Sequence, residues 1–235
     1  MKELTWKPIL SNLTEARGEL LSLCEYLYFL DFGELPEDCH WIGECSDYIA
    51  YLQKQEMRNP FNELALFVRL EHAYHHLNWA WNCRRTPEER VLNFTDSDAS
   101  RWNRFPDTAS FADLWPPSRV IKEHSEKLCR RICLTPVRIP VQMAQRKLHI
   151  LCYLVAKEIG VQYARPKGLY PEIGKQPLTE KDFTRRMHRI YEELNMAWNG
   201  RKHKSFATGR RAIVRSGFFP SIFATGCYNM WHKCK

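Results

Sequence analysis

Glycine is scarce in this chain, ten among 235 residues, and the ten are not clustered. That scarcity removes phosphate-cradling loops and dinucleotide fingerprints, which need runs of backbone amides free of side chains, and no nucleophile elbow or kinase signature is present either. Also missing is any apolar run near the roughly 20 residues that span a bilayer. No useful length of alternating Val, Ile and Thr suggests a strand. Met1-Lys-Glu-Leu-Thr-Trp-Lys-Pro8 lacks the basic start and apolar stretch of a secretory signal. The expectation is a soluble, cytoplasmic, mainly α protein without a cofactor.

No two cysteines stand in the two-residue spacing of a zinc knuckle or ribbon. Cys39-His40-x4-Cys45, Cys129-x3-Cys133 and Cys227-x6-Cys234 with His232 are clusters without that spacing. Nine cysteines is an odd number, in a chain long enough to bury a core without staples, so reduced thiols are expected and no disulfide framework. His72 and His76 stand at i and i+4, as paired zinc ligands do, but no third or fourth ligand can be placed beside them, and no metal is expected.

Acidic residues are absent from Arg201 to Lys235. The asymmetry runs through the whole chain: residues 1–117 hold 11 Lys/Arg against 19 Asp/Glu, residues 118–235 hold 24 against 8. A net charge of −8 followed by +16 points to a polyanionic partner for the C-terminal half and leaves the acidic half available to a protein.

What the chain does contain is a repeat. Arg69-Leu-Glu-His-Ala-Tyr-His-His-Leu-Asn-Trp-Ala-Trp-Asn-Cys-Arg84 returns 117 residues later as Arg186-Met-His-Arg-Ile-Tyr-Glu-Glu-Leu-Asn-Met-Ala-Trp-Asn-Gly-Arg201, identical at eight of sixteen positions. Average composition gives roughly one such match. Arg101-Trp-Asn-Arg-Phe105-Pro106 parallels Arg215-Ser-Gly-Phe-Phe219-Pro220 downstream, and Leu20-Leu-Ser-Leu-Cys24 parallels Leu148-His-Ile-Leu-Cys152 upstream. The spacing predicts two tandem-duplicated helical modules related by a pseudo-two-fold, an acidic one at 1–117 and a basic one at 118–235, with long loops and a basic irregular C-terminal segment.

Within the motif, Phe67, Leu70, Tyr74, Leu77 and Trp81 recur at spacings of three and four, one face of a helix. That helix is expected from Pro60, capped by Asn59, to about Arg84; its counterpart starts at Thr179 with Asp182 three residues on and ends at Gly200 as C-cap. Partner helices are expected at Leu13 to Leu30 and Pro140 to Gly160, others at Ser46 to Glu56 and Ser118 to Cys133, and loops at 86–117 and 161–178. The shared residues Tyr74, Asn78, Trp81, Asn82 and Arg84, with Tyr191, Asn195, Trp198, Asn199 and Arg201, read as structural because both copies keep them despite opposite charge. The Asn pairs suit tying down a loop carbonyl, and the Arg residues suit terminal helix carbonyls.

The candidate binding residues are Arg201, Lys202, Lys204, Arg210, Arg211 and Arg215, followed by Phe218, Phe219, Phe223, Tyr228 and Trp231, a composition suited to RNA or single-stranded DNA. A second basic cluster contains Lys127, Arg130, Arg131, Arg138, Arg146 and Lys147. The reading is a non-catalytic nucleic-acid-binding adaptor; a protein-interaction scaffold is the alternative without nucleic acid. The alternative with chemistry rests on Arg69 followed by His75 or His76, which resembles the Arg-x4-6-His pattern of the HEPN ribonucleases. That resemblance implies a metal-independent ribonuclease with histidine as general acid/base and Arg69 stabilising charge. The second copy has Glu192 and Glu193 at the histidine positions.

Overall fold

Asn62 accepts a hydrogen bond from Ala65 N (3.0 Å) and Thr179 accepts one from Asp182 N (3.1 Å), so the two motif helices begin with the same cap 117 residues apart. The computed structural model describes residues 4–35, 45–58, 61–106, 108, 111, 114 and 134–201. Those residues form α1 (Trp6–Phe32), α2 (Cys45–Arg58), α3 (Glu63–Asn82), α4 (Glu88–Leu92), α5 (Asp96–Trp102), α6 (Leu134–Glu158) and α7 (Glu180–Gly200), and no strand. None of these helices is long and apolar enough to cross a membrane.

The long helices close a ring in which α3 packs on α1, α1 on α6, α6 on α7 and α7 on α3. Each neighbour runs antiparallel. Thr5 N at the start of α1 donates to Arg84 O beyond the end of α3 (2.8 Å), Arg138 near the start of α6 reaches Asp31 at the end of α1 (2.8 Å), and Pro136 lies against Gly200 at the end of α7. One apolar core runs through all four helices, from Ile9 to Trp198. The two halves therefore bury each other's stripes.

The helix limits depart from expectation in physically legible ways. α3 begins after Asn62, not at Asn59-Pro60, which lie outside the described residues. α1 and α6 start earlier than Leu13 and Pro140, because Pro8 and Pro136 both sit at the third helical position, where a backbone N–H has no intrahelical acceptor to lose. Pro140 is inside α6 rather than at its start. The 86–117 segment is not all loop: it carries α4 and α5, the latter closed by a capping box between Thr95 and Asp98. The expected helix at Ser118 to Cys133 lies outside the described residues.

Gly200 corrects a second expectation. It is not a left-handed C-cap; it is the last residue of α7, and Arg201 follows with helical angles. A Cβ built at Gly200 would stand 2.7 Å from Pro136 O, so glycine is required by the closeness of α6 to α7. Gly200→Ala is expected to destabilise by about 1–3 kcal/mol, as overpacking does. Chemical denaturation checks this, and an unchanged midpoint would mean the two backbones separate without cost.

Counting 117 residues between α3 and α7, matched positions make matched contacts. The Arg84 guanidinium stacks on Trp81 at 3.8 Å and bonds Trp81 O; the Arg201 guanidinium stacks on Trp198 at 3.5 Å and bonds Trp198 O. Arg84 Nε then reaches Glu180 (3.4 Å), the first residue of α7, while Arg201 Nε reaches Glu63 (3.6 Å), the first residue of α3. Counting 128 between α1 and α6, Ile9, Leu13, Ala16, Leu20 and Leu23 match Val137, Val141, Ala144, Leu148 and Leu151, all fully buried.

Glu180 is held below the ordinary glutamate range, first by a hydrogen bond from Arg85 (2.7 Å) and also by Arg84. A depressed carboxyl stabilises above its unfolded-state value and loses that contribution as pH falls through the folded one. Wild type is therefore expected to melt above Glu180→Gln near neutral pH, the difference shrinking as pH falls below the ordinary glutamate range. A gap that persists in acid would assign the effect to packing instead of charge.

Candidate nucleic-acid interface

α6 is amphipathic: Val141, Ala144, Leu148, Leu151 and Val155 enter the core, which turns Arg146 outward. The 161–178 segment then folds back over this outer side. His149 Nε2 lies 3.1 Å from Ala164 O, and Arg17 of α1 donates to the Tyr163 hydroxyl (3.5 Å). Gly168, at φ 69°, supplies the left-handed residue of a turn closed by Leu169 N to Pro166 O (3.3 Å). The Arg146 guanidinium lies against that glycine.

This fold-back gathers Arg17, Arg146, Arg165 and Lys167. Among the described residues none of the four is ion-paired to a carboxylate: Arg17 bonds only the Tyr163 hydroxyl and Arg165 only Leu169 O (3.3 Å). Tyr170, next to Leu169, is 71% exposed. Burial, then the charge of Arg17, holds His149 below its ordinary value, and burial pushes the Tyr163 phenol up to about 12. Both stay neutral near pH 7, so the charge of the patch comes from its three arginines and one lysine. Cations beside an exposed ring can hold phosphates and stack a base.

The residues named from sequence divide sharply. Arg201 leaves the binding set, because its side chain is only 2% exposed and is committed to Trp198 and Glu63. Arg138 is buried against Asp31 and Phe32, and Lys147 pairs with Glu193. Arg146 remains available on the surface. Lys202, Lys204, Arg210, Arg211, Arg215, Lys127, Arg130 and Arg131 lie outside the described residues, as do Phe218, Phe219, Phe223, Tyr228 and Trp231. Arg17, Arg165, Lys167 and Tyr170 were not visible as a set: they come from α1 and a loop, and only Arg165-Pro-Lys167 offered a short basic signal.

The motif asparagines of the first copy tie down the following loop. Asn78 Nδ2 donates to Asn103 O (2.9 Å), and Asn82 Nδ2 donates to Trp102 O (3.0 Å) and Arg104 O (2.7 Å). Asn78 Oδ1 also accepts from the Tyr191 hydroxyl (2.7 Å). In the second copy Asn199 is exposed, and Asn195 Nδ2 is buried without a hydrogen-bond partner among the described residues.

The Arg69 side chain has its own contact, whereas the His75 and His76 rings meet edge to face (5.1 Å). The Arg69 guanidinium lies over the Tyr26 ring of α1 (5.1 Å), His75 packs on Trp79 (5.7 Å) towards Asn103, and His76 faces Glu15 and Glu19 of α1. Burial lowers the pKa of both histidines. Six or seven residues separate Arg69 from them, roughly 9–10 Å along a helix. Elsewhere, a groove of about 810 Å³ beside the start of α7 includes Arg84, Lys181, Arg185 and Glu192. Its arginines have acidic neighbours, Arg84 with Glu180, Arg185 with Asp182 and Arg189 with Glu192. Among the described residues no group of three His, Cys, Asp or Glu is placed to hold a metal. Burial pushes the Cys24 thiol up to about 12 and Cys83 and Cys152 up to about 11, which makes them poor nucleophiles.

No protein-family model, curated protein or solved structure matches this chain significantly.

Proposed function

We propose that this chain is a cytoplasmic, non-catalytic adaptor for nucleic acid, built from a duplicated helical hairpin. Its C-terminal half grips RNA or single-stranded DNA, and its acidic N-terminal half engages a protein partner. The observation that carries the reading is the patch of Arg17, Arg146, Arg165 and Lys167, without acidic partners among the described residues, beside exposed Tyr170. It extends the positive charge that the sequence concentrates after residue 118.

Duplication is supported by the matched caps, matched Trp–Arg stacks and exchanged Glu–Arg pairs. The absence of a reaction is supported by what the two copies share: Tyr, Asn, Trp and Arg that serve packing and clamping. The histidines belong to one copy only, with glutamates in their place in the other.

Fluorescence anisotropy with labelled single-stranded RNA and DNA tests the reading. Binding is expected to weaken steeply with salt, without cleavage on long incubation. Tyr170→Ala is expected to cost about 1–3 kcal/mol if its ring stacks on one base. Binding that ignores both salt and Tyr170 would overturn the assignment, and cleavage lost in His75→Ala or His76→Ala would replace it with a ribonuclease.

A further inference from the structure

The cations of the patch surround one further group that can carry charge. His149 stands one turn after Arg146 on α6, and its ring meets the Tyr163 ring edge to face at 5.9 Å. Arg17 of α1 reaches the hydroxyl of the same tyrosine (3.5 Å), and Arg165 directly follows Ala164, whose carbonyl lies 3.1 Å from His149 Nε2. A carbonyl oxygen only accepts, so Nε2 carries the hydrogen, and neutral His149 keeps its unprotonated nitrogen at Nδ1. A second proton therefore enters at Nδ1. It leaves the bond to Ala164 O, and with it the fold-back of 161–178, in place.

Among the described groups of this cluster, His149 alone titrates between pH 5 and 8. The Tyr163 phenol is pushed up to about 12 and the Cys152 thiol, which shares a hydrogen bond with it, to about 11, each chiefly by burial. The arginines and the lysine carry charge throughout that range. Among the described residues no carboxylate reaches the imidazole, which burial and then the charge of Arg17 hold below the ordinary 6.5. A phosphate seated among these cations supplies the negative charge that the ring lacks.

We infer that His149 is a phosphate contact of the patch and takes up a proton when a nucleic-acid strand binds. The inference rests on the nucleic-acid reading proposed above and deepens it, because it makes affinity depend on pH. An anion beside the ring favours the imidazolium, so the pKa in the complex exceeds that of the free protein. Affinity is lowest where His149 is neutral in both states, rises as pH falls through the value in the complex, and levels off below the free value. An opposite charge at contact range shifts a pKa by about one unit or more, so a strand is expected to bind about tenfold more tightly at pH 5 than at pH 8.

Oligothymidylate, whose base does not titrate in this range, is the probe. Anisotropy titrations at both pH values compare wild type with His149→Gln, whose amide still donates to Ala164 O but takes no proton. The variant is expected to stay within about twofold of wild type at pH 8 and to lose the gain at pH 5. An NMR titration of the wild-type His149 ring, free and with pyrophosphate or oligothymidylate, reads the same site directly, and both probes are expected to raise its pKa. Strand binding that leaves this titration unmoved overturns the inference, as does a low-pH gain that His149→Gln retains. Equal weakening of the variant at both pH values also overturns it, since His149 would then only fasten the loop. A shift with pyrophosphate and no binding of the strand keeps the phosphate contact and removes the adaptor reading; no shift and no binding removes both.

Discussion

Trp198→Ala and Trp81→Ala are each expected to lower the unfolding free energy by about 3–5 kcal/mol, a large part of the stability of a domain this size. The rings are 2% and 3% exposed, and each is pinned on both sides. Trp198 packs on Phe67 (5.9 Å) and under Arg201; Trp81 stacks with Phe183 (6.1 Å) and packs under Arg84. Removing either ring opens a cavity and also strips the arginine of its platform, leaving a partly buried cation beside Glu63 or Glu180. Urea denaturation of both variants checks this. Midpoints within error of wild type would mean that the rings are not core.

That pairing shows how far the sequence could be read. The tryptophan stripe, the Thr179 cap and the motif arginines were legible because helical periodicity and a repeat both mark them, whereas the Asn62 cap of α3 and the helical end at Gly200 were not. Glu63 and Glu180 were legible in principle, since they too stand 117 apart, but they precede the sixteen-residue match and nothing local gives them a role. Their role appears only when antiparallel packing brings the start of one motif helix to the end of the other. Arg201 was legible as a clamp on its own helix end but not as a cation withdrawn from the surface, for the same reason: composition counts a cation without knowing whether its helix end is covered. The patch of Arg17, Arg146, Arg165 and Lys167 was illegible because α1, α6 and a loop bring it together across about 150 residues of chain.

The second large effect is in binding. Replacing Arg146, Arg165 and Lys167 with Glu, or Arg210, Arg211 and Arg215 with Glu, is expected to weaken nucleic-acid binding at every sequence tested. Each lost phosphate contact should flatten the log–log salt dependence by about 0.7 for a single strand or 0.9 for a duplex. The matching control must avoid Arg84, because that side chain holds Trp81 and Glu180 and its reversal would damage the fold. Lys54 and Arg104, exposed in the acidic half, serve instead, and their reversal to Glu is expected to change affinity far less. Anisotropy titrations from low to moderate salt separate the cases. Equal loss from control and test sets would mean that the charge asymmetry faces a protein.

The exchanged pairs Glu63–Arg201 and Glu180–Arg84 have a consequence for ancestry. One motif helix carries at its start the acid, and just past its end the arginine, that its counterpart requires. That is the rule of an isologous interface, in which residue i meets j and j meets i. Under the proposed duplication, a single hairpin of this kind would be complementary to itself, and its stable form would be a homodimer held at both ends by the same contact. Joining two such hairpins in one chain would keep the contact and free each end to diverge, one towards acid and the other towards base.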